Sequence, residues 1–498
     1  MTEEPSASPR GEVTGPQRIH RRQLAPTVAL GRQLRDAAVQ VVRSTAPPTI
    51  TLGARTGGDR DIPQQHARAV SDLALRVGEA LLSTGASAAD CTATVLRLAE
   101  AYGVGSVHVD VTYTSISVSI HRGVHEDSLT VMRVISARAP DYTRLEAVLL
   151  LIDEIIGSAG PGRAAVDVEV ARERLLTVLA SPHPYRRWVV TAGASVLSVG
   201  VVMLLGAGPL MWLVAALSAA LVDRVQRLLH RAGVAAFFTQ AVSAAIPTVL
   251  ALGLFALDLD VRPSVVVISG IVMLLAGLGV LGAAQDALDG YYVTAGARGI
   301  EVIMMTLGIA VGVAVVLGAA NRAGVSMEAS AVLAYSSSPG LSTLGSALVA
   351  LGFCLSTYCG TRTTVVSVLI STLAWLSYQA GVLLGLGPAG SVAVAGAVVG
   401  ALSYAAYRRL RVPEPAVATA SIVTLLPGLA VYRSLYQIMQ SNPATVPLAT
   451  MYLLGAVATG IGLAAGLALG GFLARRRFGL DLAGQLARRR TRGSHVPS

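Results

Sequence analysis

The chain has 498 residues, of which 53% are hydrophobic and only 14% charged, and its mean hydropathy is +0.61. A soluble globular chain carries about a quarter charged residues, so this composition excludes an ordinary soluble protein. The net charge of +10 comes entirely from arginines in short clusters beside apolar runs, which is typical of cytoplasmic loops, so we expect the lipid bilayer as a partner and no nucleic acid. Three scattered cysteines, without a CxxC pair, indicate no redox role.

The N-terminal part of the sequence predicts a tail followed by a small domain. Residues 1–62 are rich in Gly, Pro, Ser and Arg, which predicts a disordered tail, and they lack the apolar core of a signal peptide. Residues 63–181 contain two helical patterns, then "SVHVDVTYTSISVSIHRG" and "LTVMRVIS" with strand-like alternation, then two more helical patterns. We therefore predict a soluble α/β domain that stays in the cytoplasm.

The apolar part of the chain predicts about ten transmembrane helices, since each span needs roughly 20 apolar residues. The predicted spans are 188–206, 207–222, 233–256, 264–284, 300–319, 340–358, 364–386, 389–407, 417–439 and 446–474. With the N-terminal domain inside, the outer loops carry only Arg262 and Arg322, and the other loop arginines lie inside. Both termini, including a basic tail at 475–498, are then expected in the cytoplasm of a bacterial cell with the spans in its plasma membrane.

An internal repeat relates spans four and nine. "IVMLLAGLGV" from Ile271 and "IVTLLPGLAV" from Ile422 match at seven of ten positions and begin 151 residues apart. Each lies fourth in a group of five spans, so residues 188–320 and 340–474 are predicted to be duplicated membrane repeats. Because five is odd, the repeats would have inverted topology, an arrangement frequent in secondary transporters.

Small and polar residues in these spans are candidates for substrate binding. Helices broken by Gly or Pro free backbone groups for a ligand, although small residues equally permit close helix packing. Arg433 could attract a substrate carboxylate or reach the membrane interface instead. Polar side chains in spans six and seven could bind a polar solute or bond to neighbouring helices. The candidate substrate-binding residues are Gly277, Gly279, Pro427, Gly428, Arg433, Tyr358, Tyr378 and Gln379.

Three carboxylates are candidates for proton coupling. Asp286 and Asp289 follow the Gly-rich stretch of span four, and Glu301 is predicted to open span five. Such groups could take up and release a proton, or they could be ordinary interfacial charges. The sequence has no P-loop, HExxH or nucleophile elbow, which favours a transporter driven by an ion gradient over an enzyme, with no cofactor or metal. His108, Asp110 and His121 are interpreted as surface residues.

Three segments of the predicted domain resemble the bacterial threonine/serine exporter family. These are "LLSTGASAADCTATVLRLAEAYGV", "VDVTYTSISVSIHRG" and "ISARAPDYTRLEAV", and the two membrane units follow with "LLAGLGVLGAAQDALDGYYVTAGAR" and "SIVTLLPGLAVYRSLYQIMQ". The resemblance covers roughly residues 66–474. It implies export of L-threonine and L-serine driven by the proton gradient, and it leaves homo-oligomer formation open. The alternative is a membrane-anchored sensor or hydrolase-like enzyme that acts through the N-terminal domain.

Overall fold

The computed structural model describes residues 62–122, 126–135, 140–158, 166–257, 263–271, 274, 277–323, 338–439 and 446–492. The predicted disordered tail therefore lies outside the described residues, apart from Ile62. The described chain is mostly helical, with one small sheet near its beginning.

The N-terminal region, residues 62–180, contains four helices and three strands in the predicted order. Gly85 ends the first helix in the left-handed conformation that favours glycine, with φ of 110°. Ser87 caps the second helix by accepting a hydrogen bond from the Asp90 backbone N–H at 3.1 Å. The elements are α1 (Gln64–Thr84), α2 (Ala88–Ala101), β1 (Val107–Val111), β2 (Ser115–Ile120), β3 (Leu129–Val134), α3 (Tyr142–Ser158) and α4 (Val168–Ala180).

The three strands form an antiparallel sheet in the order β1-β2-β3. Val107, Val109 and Val111 are buried, whereas His108 and Asp110 alternate with them on the exposed face, as the period-two pattern predicted. The His121 ring is hydrogen-bonded to the Ser128 hydroxyl at 2.7 Å. The alternation therefore places the apolar face of β1 against the core.

Eight helices in the described part of the chain are long and apolar enough to cross a membrane. They are α5 (Arg187–Leu204), α6 (Pro209–Arg231), α7 (Ala236–Ala256), α10 (Tyr292–Arg322), α11 (Pro339–Ser356), α12 (Thr361–Leu383), α13 (Gly387–Leu410) and α16 (Val446–Arg492). The segments predicted as spans four and nine are each divided into shorter helices. The first consists of α8 (Pro263–Ile271) and α9 (Gly277–Leu288), and the second of α14 (Glu414–Ile422), a 3₁₀ turn (Val423–Leu425) and α15 (Gly428–Met439).

Two helices extend beyond the predicted spans. Helix α10 begins at Tyr292, so Glu301 is its tenth residue and lies in its third turn. Helix α16 continues to Arg492, so most of the predicted basic tail is a helical extension. Both extensions contain polar and basic residues, which is compatible with a helix because arginine is a good helix former.

Helix packing follows the same pattern in the first half (α5–α10) and the second half (α11–α16). In the first half α6 packs on α5 and α7, and in the second half α12 packs likewise on α11 and α13. The contacts of α10 with α7 and α9 correspond to those of α16 with α13 and α15. Between the halves, α5 packs on α11, and the contact of α9 with α16 is matched by that of α15 with α10. In each half, the second part of the interrupted helix (α9 or α15) therefore packs on the last helix of the other half (α16 or α10).

Four glycines join α5 to α11 in a reciprocal contact. A Cβ on Gly193 would lie 2.8 Å from the Gly352 carbonyl oxygen, and one on Gly200 would lie 2.7 Å from that of Gly345. Numbering rises along α5 as it falls along α11, so the two helices are antiparallel. Gly345 follows Gly193 by 152 positions, and Gly352 follows Gly200 by the same interval. Equivalent residues thus exchange partners, as they do in a contact with two-fold symmetry.

A second glycine contact occurs once in each half. Gly308 of α10 lies against the Phe237 carbonyl of α7, and Gly462 of α16 lies against the Ala389 carbonyl of α13. Ala389 follows Phe237 by 152 positions, so the same helix pair uses equivalent residues in both halves. Small residues let helix backbones approach closely where burial from water provides no driving force. At these helix crossings the glycines therefore have a packing role.

Candidate transport site and its junctions with the N-terminal region

Both interrupted helices resume at a predicted glycine. Gly277 is the first residue of α9 with Gly279 two residues further on, and Gly428 is the first residue of α15 directly after Pro427. An interruption leaves backbone groups without partners inside their own helix. At the second interruption the chain turns tightly, since the Gly428 N–H donates to the Leu426 carbonyl at 2.7 Å. The predicted positions are thus where the helices restart, which is where free backbone groups concentrate.

A line of buried hydroxyl groups adjoins the second interruption. The hydroxyls of Ser371 and Thr424 are 3.4 Å apart, and the Ser346 hydroxyl donates to the Ser371 carbonyl at 3.2 Å. Ser421 also donates to the Ser367 carbonyl of α12 at 3.2 Å. Serine and threonine between apolar helices give no distinctive sequence signal, and the sequence analysis missed this cluster.

Tyr378 continues that line along α12, since Ser371, Trp375 and Tyr378 share one helix face by their spacing. The rings of Trp375 and Tyr378 are 5.3 Å apart, and the Trp375 indole N–H donates to the Ser342 hydroxyl at 3.3 Å. Gln379 is half-buried and is the next residue along the chain. Tyr378 is therefore the one aromatic candidate that lies on the same face as the hydroxyl cluster.

Asp286 is fully buried in α9, with no exposed side-chain area. Its Oδ2 lies 3.4 Å from Nη1 of Arg298 in α10, and the Arg298 side chain is only 15% exposed. The guanidinium rests against Gly282, where any side chain would overlap it. Removing one partner of a buried ion pair leaves an uncompensated charge that costs about 3–5 kcal/mol, so Asp286 and Arg298 stabilise each other in this position.

The turn between β1 and β2 contacts the same part of α10. The Tyr113 hydroxyl donates a hydrogen bond to Glu301, and the Arg298 guanidinium lies 5.8 Å from the centre of the Tyr113 ring. Thr294 also donates to the Val111 carbonyl at 3.0 Å. Thr294, Arg298 and Glu301 are spaced so that they share one face of the helix. We call this contact the hairpin junction. It connects the N-terminal region to two of the three predicted coupling carboxylates, because Arg298 also pairs with Asp286.

Asp289 occupies the loop after α9 and keeps substantial solvent exposure. Partial loss of hydration, together with the negative charges of Asp90 and Asp286, raises the pKa of Asp289 to about 6, against a smaller opposing effect of Arg475. Asp90 belongs to the first turn of α2, so the N-terminal region also contributes to this environment. A carboxyl group with a pKa near 6 exchanges its proton close to physiological pH.

A second contact with the N-terminal region surrounds Tyr358. The Tyr142 N–H donates to the Thr357 carbonyl at 3.1 Å, and the Tyr358 ring stacks on His183 with centres 4.4 Å apart. His183 in turn lies 2.9 Å from the Asp141 carboxylate. Tyr358 has a φ of 57°, a left-handed conformation that is unusual for a residue other than glycine. This loop junction, residues 357–359, holds Tyr358 against the N-terminal region, and the structure does not bring it to the helix interruptions.

Arg433 lies on α15, and its guanidinium is 5.6 Å from the centre of the Tyr452 ring in α16. A cation over an aromatic face is stabilised by about 0.5–2 kcal/mol.

Two residues of the hairpin junction, Arg298 and Tyr113, were not predicted from the sequence. Arg298 falls in a loop between two predicted spans, and Tyr113 is distant from the spans in sequence.

The fold and the site together define a polytopic α-helical membrane protein with repeated helix packing and two interrupted helices. A family model described as "Putative threonine/serine exporter" matches residues 72–319, and a second, described as "Threonine/Serine exporter, ThrE", matches residues 342–473. The chain belongs to the threonine/serine exporter family.

Two curated relatives are similar along most of their length. The "Probable threonine/serine exporter" of Mycobacterium tuberculosis is 35% identical over 476 residues, which cover 92% of this chain and 86% of the relative. The "Threonine/serine exporter" of Corynebacterium glutamicum is 32% identical over 415 residues, covering 82% and 83%. No solved structure gives a significant match.

Proposed function

We propose that this protein exports L-threonine and L-serine across the bacterial plasma membrane in exchange for protons. The substrates are named by the family and by the two curated relatives. The observation that carries the coupling proposal is the buried Asp286–Arg298 pair, which lies in the helix that restarts at Gly277. An ionisable group buried in a membrane segment is costly and commonly marks an ion pathway.

The two halves act as inverted repeats in this proposal. Support comes from the reciprocal contact of Gly193 with Gly352 and of Gly200 with Gly345 between antiparallel helices. A two-fold axis that exchanges two antiparallel helices is perpendicular to them, so it lies in the membrane plane when the helices cross the membrane. Transporters of this design bind substrate between the repeats and alternate its access to the two sides.

The substrate site lies beside the interruptions of the two broken helices. Backbone groups at Gly277 and Gly428 and the Ser371–Thr424 hydroxyls supply hydrogen-bonding partners for the ammonium and hydroxyl groups of a small amino acid. Arg433 supplies positive charge for the substrate carboxylate. Gly279, Pro427, Tyr378 and Gln379 shape the surroundings of this site. We exclude Tyr358 from it because that ring stacks on His183.

Proton transfer occurs on the first-half side of the site. Protonation of Asp286 removes its attraction for Arg298, and Arg298 contacts Tyr113, which is hydrogen-bonded to Glu301. Protonation of Asp286 thereby changes the contacts of the N-terminal region at the hairpin junction. Asp289 serves as the carboxylate through which protons enter or leave, since its pKa of about 6 permits exchange near neutral pH.

Both termini face the cytoplasm in this proposal, so the N-terminal region lies at the side where substrate is loaded. The arginine distribution supports this orientation. A reporter that is active only outside the cell, fused after Ser498, is expected to be inactive. Activity of that reporter would reverse the orientation.

The decisive experiment measures efflux from cells loaded with a threonine- or serine-containing dipeptide. Expression is expected to lower intracellular threonine and serine, and an uncoupler should abolish the effect. Export that persists without a proton gradient would exclude proton coupling but keep the substrate. Absence of export of either amino acid would exclude the proposed function.

A further inference from the structure

A basic groove lies between the beginning of α12 and the end of α13, at the end of these helices that adjoins the N-terminal region. Its volume is about 550 Å³. The lining residues are Thr361, Arg362, Val365, Val366, Arg409 and Leu410. None of them belongs to the candidate transport site, and none lies at a glycine contact between the halves.

The groove changes from charged to apolar along α12. Arg362 is the second residue of α12 and Arg409 is the second-last residue of α13, so both guanidinium groups belong to the helix ends. Val365 and Val366 lie one turn deeper, about 5–6 Å along the helix axis. Val365 is 60% exposed and Leu410 is 52% exposed, so the apolar wall faces outward. A phosphodiester with attached acyl chains has this same succession of charge and hydrocarbon.

The two arginines of the groove form no close ion pair within the described residues. Neither Arg362 nor Arg409 has a carboxylate within 4.0 Å there. The Glu146 carboxylate interacts electrostatically with Arg362. Burial raises the pKa of Glu146, and the Arg362 charge opposes that rise only in part. Two guanidinium groups that line one cavity without a carboxylate at ion-pair distance provide donors for a phosphate group.

The beginning of α12 adds further donors. Gly360 precedes it as the N-cap and has no side chain to cap the helix, and the Glu146 carboxylate lies nearby, 3.7 Å from where a Cβ on Gly360 would stand. The first backbone N–H groups of a helix have no partner inside the helix and favour an anion. These groups adjoin Thr361 and Arg362, so the backbone donors and the guanidinium groups border the same cavity.

We infer that the basic groove is a binding site for an anionic phospholipid, with the phosphate between Arg362 and Arg409 and an acyl chain along Val365, Val366 and Leu410. Basic pockets between transmembrane helices bind acidic lipid head groups in this way. The lipid borders the loop junction, since Tyr358 and Gly360 directly precede α12. An acidic bilayer would therefore stabilise the contact between the N-terminal region and the second half.

The test measures lipid retained by the full-length protein after purification in mild detergent, by native mass spectrometry with added phosphatidylglycerol or phosphatidylcholine. The double variant Arg362→Gln, Arg409→Gln is compared with Arg408→Gln, which removes an exposed arginine beside the groove on the same helix. We expect the double variant to lose at least about tenfold in phosphatidylglycerol binding, as the loss of charge-assisted hydrogen bonds predicts, and Arg408→Gln to change it less than twofold. Phosphatidylcholine should bind weakly to all three proteins.

Two further measurements separate a lipid from other anions. Val365→Ser should weaken phosphatidylglycerol binding because it removes apolar contact, and millimolar glycerol phosphate should fail to displace the lipid. Equal loss in Arg408→Gln, unchanged binding in the double variant, or displacement by glycerol phosphate would each overturn the assignment. If the double variant does not fold, Arg409→Gln alone is expected to show a partial loss, and wild-type binding in that single variant counts against the site.

Discussion

The two helix pairs that follow the interruptions, α9 with α10 and α15 with α16, share their packing but differ in charge. Asp286 in the first half corresponds to Gln437 in the second, 151 positions later, and both are buried. Gly282 corresponds to Arg433 at the same interval of 151. Arg298 corresponds to Tyr452 at an interval of 154, which also relates Gly308 to Gly462. At these corresponding positions each pair therefore holds one guanidinium group, supplied by α10 in the first half and by α15 in the second.

This comparison indicates that the repeated architecture carries two different chemistries. In the first half the guanidinium group faces a carboxylate, and in the second it lies over an aromatic ring. Gln437 carries an amide where Asp286 carries a carboxylate, so it has no acidic proton to exchange. The function proposed above accordingly has proton coupling in the first half and recognition of the substrate carboxylate in the second. Each of the following predictions tests one part of that division.

The largest effect is expected from Asp286→Asn, which gives the first half an amide as in the second. The variant cannot exchange a proton at this position, so the response of threonine efflux to an imposed pH gradient should disappear in proteoliposomes. Threonine exchange without a gradient should persist. Gln437→Asn is the matched control and should keep the response to the gradient. A wild-type response in Asp286→Asn would remove this carboxylate from the coupling mechanism.

The next largest effect concerns packing, which should be alike in both halves. A Cβ added at Gly312 or Gly466 would overlap the carbonyl oxygen of Ala241 or Ala393, respectively. Overpacking costs about 1–3 kcal/mol, so Gly312→Ala and Gly466→Ala should both lower the melting temperature in detergent by similar amounts.

Controls for this prediction lie on the same two helices. Gly318 of α10 and Gly455 of α16 have no atom within 4 Å of an added Cβ, among the atoms that the structure describes. Gly318→Ala and Gly455→Ala should leave the melting temperature unchanged or slightly raised. A marked loss in only one of the two overpacked variants would show that the halves do not share this packing.

A smaller effect is expected from Tyr113→Phe, which removes the hydrogen bond to Glu301 and keeps the ring beside Arg298. One hydrogen bond contributes about 0.5–1.5 kcal/mol, so efflux should fall about two- to tenfold, and its pH profile should shift. Tyr452→Phe makes the same chemical change beside Arg433 in the second half. It should leave the pH profile unaltered, and equal shifts in both variants would contradict an assignment of coupling to the first half.

The smallest effect concerns the contribution of Asp289 to the pH dependence of the free energy of unfolding. Because its pKa of about 6 in the folded protein exceeds the usual value near 3.9, the folded state binds the proton more tightly than the unfolded state. The free energy of unfolding should therefore fall as pH rises from about 4 to 6 and level off above that range. Solvent screening limits the change to less than about 1 kcal/mol.

Asp289→Asn should remove this part of the pH dependence in thermal melts recorded between pH 4 and 7. Glu173→Gln, at an exposed carboxylate of the N-terminal region without an ion pair among the described residues, provides the control and should leave the slope as in the wild type. An unchanged slope in Asp289→Asn would show that the group titrates alike in both states.

The sequence alone determined the class and indicated where two helices are interrupted. Spans of about 20 apolar residues are required by bilayer thickness, so composition revealed the membrane segments directly. The repeat of "LLAG" and "LLPG" identified the two segments whose helices restart at Gly277 and Gly428. The alternation in β1 and β2 predicted which of their residues are buried. All of these features are local or periodic, and for that reason one sequence suffices to find them.

Only the tertiary structure showed which residues meet. Asp286 and Arg298 belong to different helices, and Tyr113 reaches Glu301 across 188 positions of sequence. Tyr358 resembled other polar candidates until its contact with His183 placed it at the loop junction. The exchange of partners among Gly193, Gly200, Gly345 and Gly352 likewise depends on how α5 crosses α11. Such contacts arise when helices from distant parts of the chain pack side by side, and sequence periodicity specifies the face of each helix but not its partner.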